Sequence, residues 1–412
     1  MNLRSSPLWL ILAILLVLSL TLSACGGGQA EIKVGAPLPL TGPYASDGEQ
    51  MLKALQMAVD EQNAKGGLLG RQLKLVTGDV GALEAEKIKA VGERLIGEKV
   101  DVVITGYADS GVDARVFGEY DMPFLHADAM TLDTEVVAQD PVKYGNVFQY
   151  CPSEVSYGID AAANLFEMGR KMGWQEPNKK IAIVKVDYSY NILAADKFAE
   201  LVKAQGYEIV VDEVTQFGVV EWGPILSKID EAQPAYVTFW NLDPTDAARF
   251  MVQFSEKFGE KGLNALVFMQ FTPSIPEFLE LAGKAAEGLL WTASINPVGA
   301  GVEDYKQRWI AKYNEEPKSI YAYVTRDGFD IWVTAVEKAG CVDCYDKVIE
   351  NIRNTTYAGL AGVHVFTTTD QQSKYGDDFI PTIWYQIWNG ENLIVGPTKY
   401  QKAQPQLPPW IK

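Results

Sequence analysis

The chain has 412 residues, 48% of them hydrophobic, which is enough for a substantial core and too much for one ordinary core; two domains of roughly 150–200 residues each are the default. A formal net charge of −17 repels phosphate backbones and argues against DNA or RNA as a partner. Two histidines (His126, His364) and four cysteines leave little room for His-dependent metal or acid–base chemistry, and none for a disulfide-built scaffold.

Arg4 precedes an apolar run over 8–22, about the length of a signal-peptide core and short of a comfortable membrane span. Leu22-Ser23-Ala24-Cys25, followed by three glycines, resembles a bacterial lipobox. That implies a signal peptide over 1–24, lipidation of Cys25, and a flexible tether over 25–31. The other reading is an uncleaved anchor helix. Under both, the remainder lies outside the cytoplasm and meets the membrane only through that anchor. No later segment approaches the roughly 20 apolar residues of a span.

Strands and helices then alternate. A strand is predicted over 32–36, a helix over 50–63 stopped by Lys65-Gly66-Gly67, a strand over 73–76, a helix over 82–97, and strands over 100–104 and 123–126. A second series begins after Cys151-Pro152-Ser153. Helices over 157–172, 194–205, 224–231 and 245–258 alternate with strands over 180–184, 207–211, 235–239 and 265–268. Alternation of this kind argues for parallel sheets covered by helices on both faces, and two series argue for two sheets. A strand over 288–291, helices over 302–314 and 321–339, a strand over 383–388 and a proline-rich tail complete the chain.

Several segments, in order, resemble the type I periplasmic binding proteins of ABC transporters, in the branch of leucine/isoleucine/valine-, amide- and urea-binding proteins. They are Ile32-Lys33-Val34-Gly35 with Leu40-Thr41-Gly42-Pro43-Tyr44, Asp60-Glu61-Gln62-Asn63-Ala64-Lys65-Gly66-Gly67, Ala286-Glu287-Gly288-Leu289-Leu290, and Tyr321-Ala322-Tyr323 with Gly328-Phe329-Asp330. The resemblance implies an α/β fold of two Rossmann-like lobes with parallel-sheet cores joined by three hinge crossings, near 148–152, 292–297 and 362–367. The lobes would be 32–149 plus 293–362 and 150–292 plus 363–396, with 397–412 as a C-terminal tail. It also implies a small polar ligand (an amino acid, an amide or a related nitrogen compound) taken up by hinge closure and ABC permease subunits as partners, with no cofactor, no metal and no enzymatic activity. A sensory receptor of the same fold is the alternative role.

The loops after the predicted strands supply the candidate ligand-binding residues. In the first lobe these are Tyr44, Tyr107, Ala108, Asp109, Ser110, Ala127, Asp128, Ala129 and Thr131; in the second, Tyr188, Trp240, Asn241, Asp243 and Thr272. Relatives that bind amino acids use the first-lobe loops to hold the ligand carboxylate. Here each of those loops carries an aspartate, which would repel one and tilts the expected ligand toward amines and amides. Asp109 and Asp128 also have a second reading as helix caps, and Trp240 a second reading as a core residue. By the resemblance, Thr272 stands where branched-chain amino acid binders place a glutamate for the ligand ammonium. Cys341-Val342-Asp343-Cys344 is read as a local disulfide, and Cys151 as a buried hinge thiol. A Ser110-His126-Asp128 triad is disfavoured because His126 stands at a strand end, as a structural or pocket-rim residue; no G-x-S-x-G elbow occurs, and Walker A and dinucleotide fingerprints are also missing.

Overall fold

The computed structural model describes residues 30–108 and 111–412, so the expected signal segment, Cys25, Asp109 and Ser110 lie outside the described residues. β1 (Ile32–Leu38), β2 (Leu73–Asp79), β3 (Val102–Thr105), β4 (Phe124–His126) and β5 (Val147–Gln149) form one parallel sheet in the order β2-β1-β3-β4-β5. β6 (Lys180–Val186), β7 (Glu208–Thr215), β8 (Tyr236–Trp240), β9 (Leu266–Gln270) and β10 (Leu290–Ala293) repeat that pattern as β7-β6-β8-β9-β10, all parallel. A two-stranded ribbon, β11 (Tyr357–Ala358) and β12 (Val363–His364), follows. β13 (Ile383–Trp388) and β14 (Glu391–Gly396) then extend the second sheet antiparallel beyond β10. Every residue of β3, β8 and β9 is buried, as expected of strands with helices on both faces.

The chain passes between the sheets three times: after β5, after β10, and before β13. The first two passages fall in the segments expected for them. The third lies beyond 362–367, because the segment after β12 stays on the edge of the first sheet. Gln372 bridges Gln149, the Ser373 N–H donates to the Gln149 carbonyl (2.8 Å), and Phe366 packs against Phe148 at 5.1 Å. Buried polar contacts fix that segment. His364 Nε2 sits 3.1 Å from Asp327 Oδ2 and its Nδ1 3.2 Å from Ser373 Oγ, while Asp327 also accepts the Leu360 and Ala361 N–H groups. Cys341 and Cys344 are disulfide-bonded, and Cys151 is a buried free thiol.

Residues 397–412, the expected C-terminal tail, dock on the second lobe. The Trp410 indole N–H donates to the Ala265 carbonyl (2.9 Å), and its ring stands edge-on to Phe254 at 5.1 Å. Prolines bar regular structure here without preventing burial of the apolar side chain among them. Trp410 is 3% exposed. Trp410→Ala should therefore destabilise the protein by about 3–5 kcal/mol, read as a lowered midpoint of urea unfolding with little change in slope.

Candidate functional site

In each sheet the strand order reverses between the first and third strands of the series: β1/β3 in one lobe and β6/β8 in the other. Connections diverge at such a reversal and leave a crevice at the strands' carboxyl ends. Tyr44 and Tyr107 follow β1 and β3; Tyr188 and Leu242 follow β6 and β8. All four line a single cleft between the lobes, together with Asp128, Ala129, Met130 and Phe271. Two passages between the lobes supply Cys151, Pro152, Ser294 and Ile295, and the starts of three helices supply Tyr157, Tyr190 and Tyr321. The cavity holds about 60 Å³, measured to the centre of a water-sized sphere. That is several times the room one water needs. The lobes touch over it: the Ser46 hydroxyl donates to Glu277 Oε2 (2.9 Å), and the Phe271 and Tyr321 rings lie 6.3 Å apart.

The loops are held under backbone strain. Leu83, Ala129, Phe271 and Ile295 line the cavity with φ of 67°, 56°, 59° and 58°. Each such non-glycine conformation costs about 1–3 kcal/mol, and strain of this kind collects at binding sites. Gly106 serves the opposite purpose, since a Cβ there would come within 2.7 Å of the Tyr321 ring. Its absence lets that ring close on the loop carrying Tyr107 (centroids 4.6 Å).

Among the sequence-predicted residues, Tyr44, Tyr107, Asp128, Ala129 and Tyr188 line the cleft. Ala108 and Ala127 are buried behind it: the Ala108 N–H donates to Asp128 Oδ1 (2.8 Å), and the Ala127 N–H to the Gly106 carbonyl. Thr131 turns to Glu154, donating its hydroxyl (2.7 Å) and its N–H (2.6 Å) to Oε2. Trp240 is not a stacking residue of the cleft. It is wholly buried in the second lobe between Phe198 and Phe268, with its indole N–H on Thr238 Oγ1 (2.9 Å). Asn241 accepts the Asp243 N–H, and Asp243 caps the helix Pro244–Phe258 through the N–H groups of Thr245 and Asp246. Thr272 is buried with its hydroxyl on the Asn241 carbonyl, and its neighbour Phe271 faces the cavity instead. Leu83, Met130, Cys151, Pro152, Tyr157, Tyr190, Leu242, Phe271, Ser294, Ile295 and Tyr321 line the cleft without standing among the sequence-predicted binding residues. A tyrosine at a helix start was the one available signal for Tyr157 and Tyr321.

Tertiary packing also gathers His126, Asp128 and Asp133, all buried, with one ligand atom from each within 4.8 Å of the others. His126 Nδ1 lies 2.9 Å from Asp128 Oδ2. Imidazole plus carboxylates could hold a divalent cation, a set that the sparse histidines of the sequence did not announce.

The sequence profile of the periplasmic binding protein family matches residues 31–375. The chain belongs to that family. Membership carries a solute-binding role and an extracytoplasmic setting for this periplasmic binding protein. The chain is 28% identical over 328 residues (78% of this chain, 82% of the relative) to Leu/Ile/Val-binding protein homolog 2 of Brucella abortus. It superposes with a TM-score of 0.84 and 26% identity on a Silicibacter pomeroyi protein described as a branched-chain amino acid ABC transporter, covering 93% of this chain and all of that one. The isoleucine-bound branched-chain amino acid binding protein of Streptococcus pneumoniae, at 21% identity and a TM-score of 0.72 over 89% of this chain and all of that one, shares the fold. No helix among the described residues is long and apolar enough to cross a membrane.

Burial sets the protonation of the binding protein's interior. It pushes the carboxyl of Asp47 up to about 6, Glu154 to about 7 and Asp160 to about 6, while hydrogen bonds from Ser319 and Tyr107, from Thr131, and from Tyr375 and Trp384 respectively pull the other way. Burial also lowers His126 to about 4. The carboxyls bind protons more tightly folded than unfolded, so their contribution is complete below their ordinary values near 4 and is lost as pH rises through 6–7. His126 works in the opposite sense, its contribution present above 6.5 and lost as pH falls toward 4. With three groups against one, the melting temperature in scanning calorimetry should be higher at pH 5 than at pH 8. Glu154→Gln, which keeps an acceptor for Thr131 without the charge, should flatten that slope.

Proposed function

We propose that this periplasmic binding protein captures a small nitrogen compound, an amine or amide without a free carboxylate, and delivers it to an ABC importer. The observation that carries this reading is the lining of the cleft. Tyr44, Tyr107, Tyr157, Tyr188, Tyr190 and Tyr321 surround it, Asp128 is its acidic residue, and no lysine, arginine or histidine is among the described residues lining it. A ligand carboxylate would meet a carboxyl and no counter-charge; a cationic nitrogen would meet the field of that carboxyl and aromatic faces. The two lobes, hinged on the three chain passages, would open to admit the ligand and close over it, changing the outline that a permease reads.

Thermal-shift screening of the purified mature protein tests the ligand class. Amines or amides at a hundredfold their Kd should stabilise it by about 2.7 kcal/mol, and carboxylates lacking nitrogen should not. Asp128→Asn, which removes the negative charge at the cavity wall, should weaken the amine response at least tenfold. A melting point moved only by simple carboxylates refutes the reading.

Leu22-Ser23-Ala24-Cys25 supports attachment to the membrane by a lipidated Cys25, with the glycine-rich segment as tether. Cys25→Ser should move the protein from the membrane fraction to the soluble extracytoplasmic fraction, and detergent-phase partitioning of the native chain is the check.

A further inference from the structure

Resting on the nitrogen-ligand reading above, we propose that the ligand's nitrogen is an alkylated ammonium, N-methylated or quaternary, boxed by aromatic faces. Tyr44 meets Tyr107 at 5.9 Å and 89°, Tyr107 meets Tyr321 at 4.6 Å and 76°, and Tyr321 meets Phe271 at 6.3 Å and 70°. Each ring stands nearly perpendicular to the next, and all four line the same cavity. The first three rings come from the first lobe and Phe271 from the second, so closure of the lobes completes the box.

The tyrosine hydroxyls also have partners in the protein. Tyr107 donates to Asp47 Oδ2 (3.0 Å), Tyr157 accepts the Ser294 N–H (3.1 Å), and Tyr190 accepts from Gln270 Nε2 (2.9 Å). Tyr107 therefore offers the cavity its π face and not its hydroxyl proton. A primary ammonium carries three N–H donors, each of which must find an acceptor on desolvation. An alkylated ammonium carries one donor or none, gives up less hydration, and is attracted by the negative faces of aromatic rings. The surroundings favour positive charge: Asp128 lines the cavity, Asp47 lies behind Tyr107, and the field of Asp243 reaches Tyr44. Burial also holds the phenols of Tyr107 and Tyr321 well above their ordinary range, so the rings stay protonated.

Isothermal titration of the mature chain with three matched probes decides the matter: choline, its primary-amine counterpart ethanolamine, and its uncharged carbon isostere 3,3-dimethylbutan-1-ol. Choline should bind at least tenfold more tightly than either of the others. Tyr321→Leu should lose at least tenfold of the choline affinity, while Tyr321→Phe, which keeps the face and discards the hydroxyl, should lose no more than threefold; Tyr44→Leu and Tyr44→Phe give the same comparison if the Tyr321 variants fail to fold. Ethanolamine or simple amides binding as well as choline would overturn the alkylated ligand and leave the nitrogen reading standing. Equal binding of the carbon isostere, or no choline binding, overturns it as well, and binding of carboxylates alone overturns both readings.

Discussion

When the strand order of a parallel sheet reverses, the connections on either side of the reversal leave in opposite directions, and the strands' carboxyl ends are left with a crevice that nothing in the same lobe fills. Here two sheets of the same order turn those ends toward each other, β1 and β3 facing β6 and β8. The facing crevices share one cleft, and the three passages of the chain keep them in register. The rest of the site follows from this arrangement: which loops reach the ligand space, why helix starts point into it, and why residues of the passages themselves, such as Ser294 and Ile295, belong to its wall.

Within that frame the cleft spends stability on shape. Four lining residues sit at positive φ without being glycine, a buried carboxyl is held beside the cavity, and aromatic rings are packed with their hydroxyls turned into the protein. The surrounding sheets, buried on both faces, supply the rigidity that makes such local strain tolerable. Across the cavity mouth, Ser46–Glu277 and Phe271–Tyr321 show how closure and recognition use the same residues: what seals the lobes also finishes the aromatic wall.

The second lobe shows where sequence reading fails. In β8 every residue is buried, so hydrophobic alternation carries no information about which side chain points where. Trp240, at the strand's end, could be assigned to a loop face as readily as to the core; only the packing of Phe198 and Phe268 around it decides. Thr272 and Phe271 exchange roles for a related reason: the unusual φ of Phe271 swings the neighbour of the expected residue into the cavity. The third passage was misplaced because Gln372 and Ser373 pair with Gln149, more than two hundred residues earlier, a contact that no local pattern announces.

Local periodicity, glycine stops and the order of strands and helices determined the α/β class, the two sheets and the loops worth examining, because those depend on interactions between residues close along the chain. Tyr44, Tyr107, Asp128 and Tyr188 were within reach of that logic, each directly following a strand or one loop removed. The perpendicular packing of the cleft tyrosines, the buried carboxyls of raised proton affinity and the docking of Trp410 were decided only by tertiary structure. Each arises where segments distant in sequence meet, and the burial that turns a ring face or raises a carboxyl's proton affinity does not exist until they do.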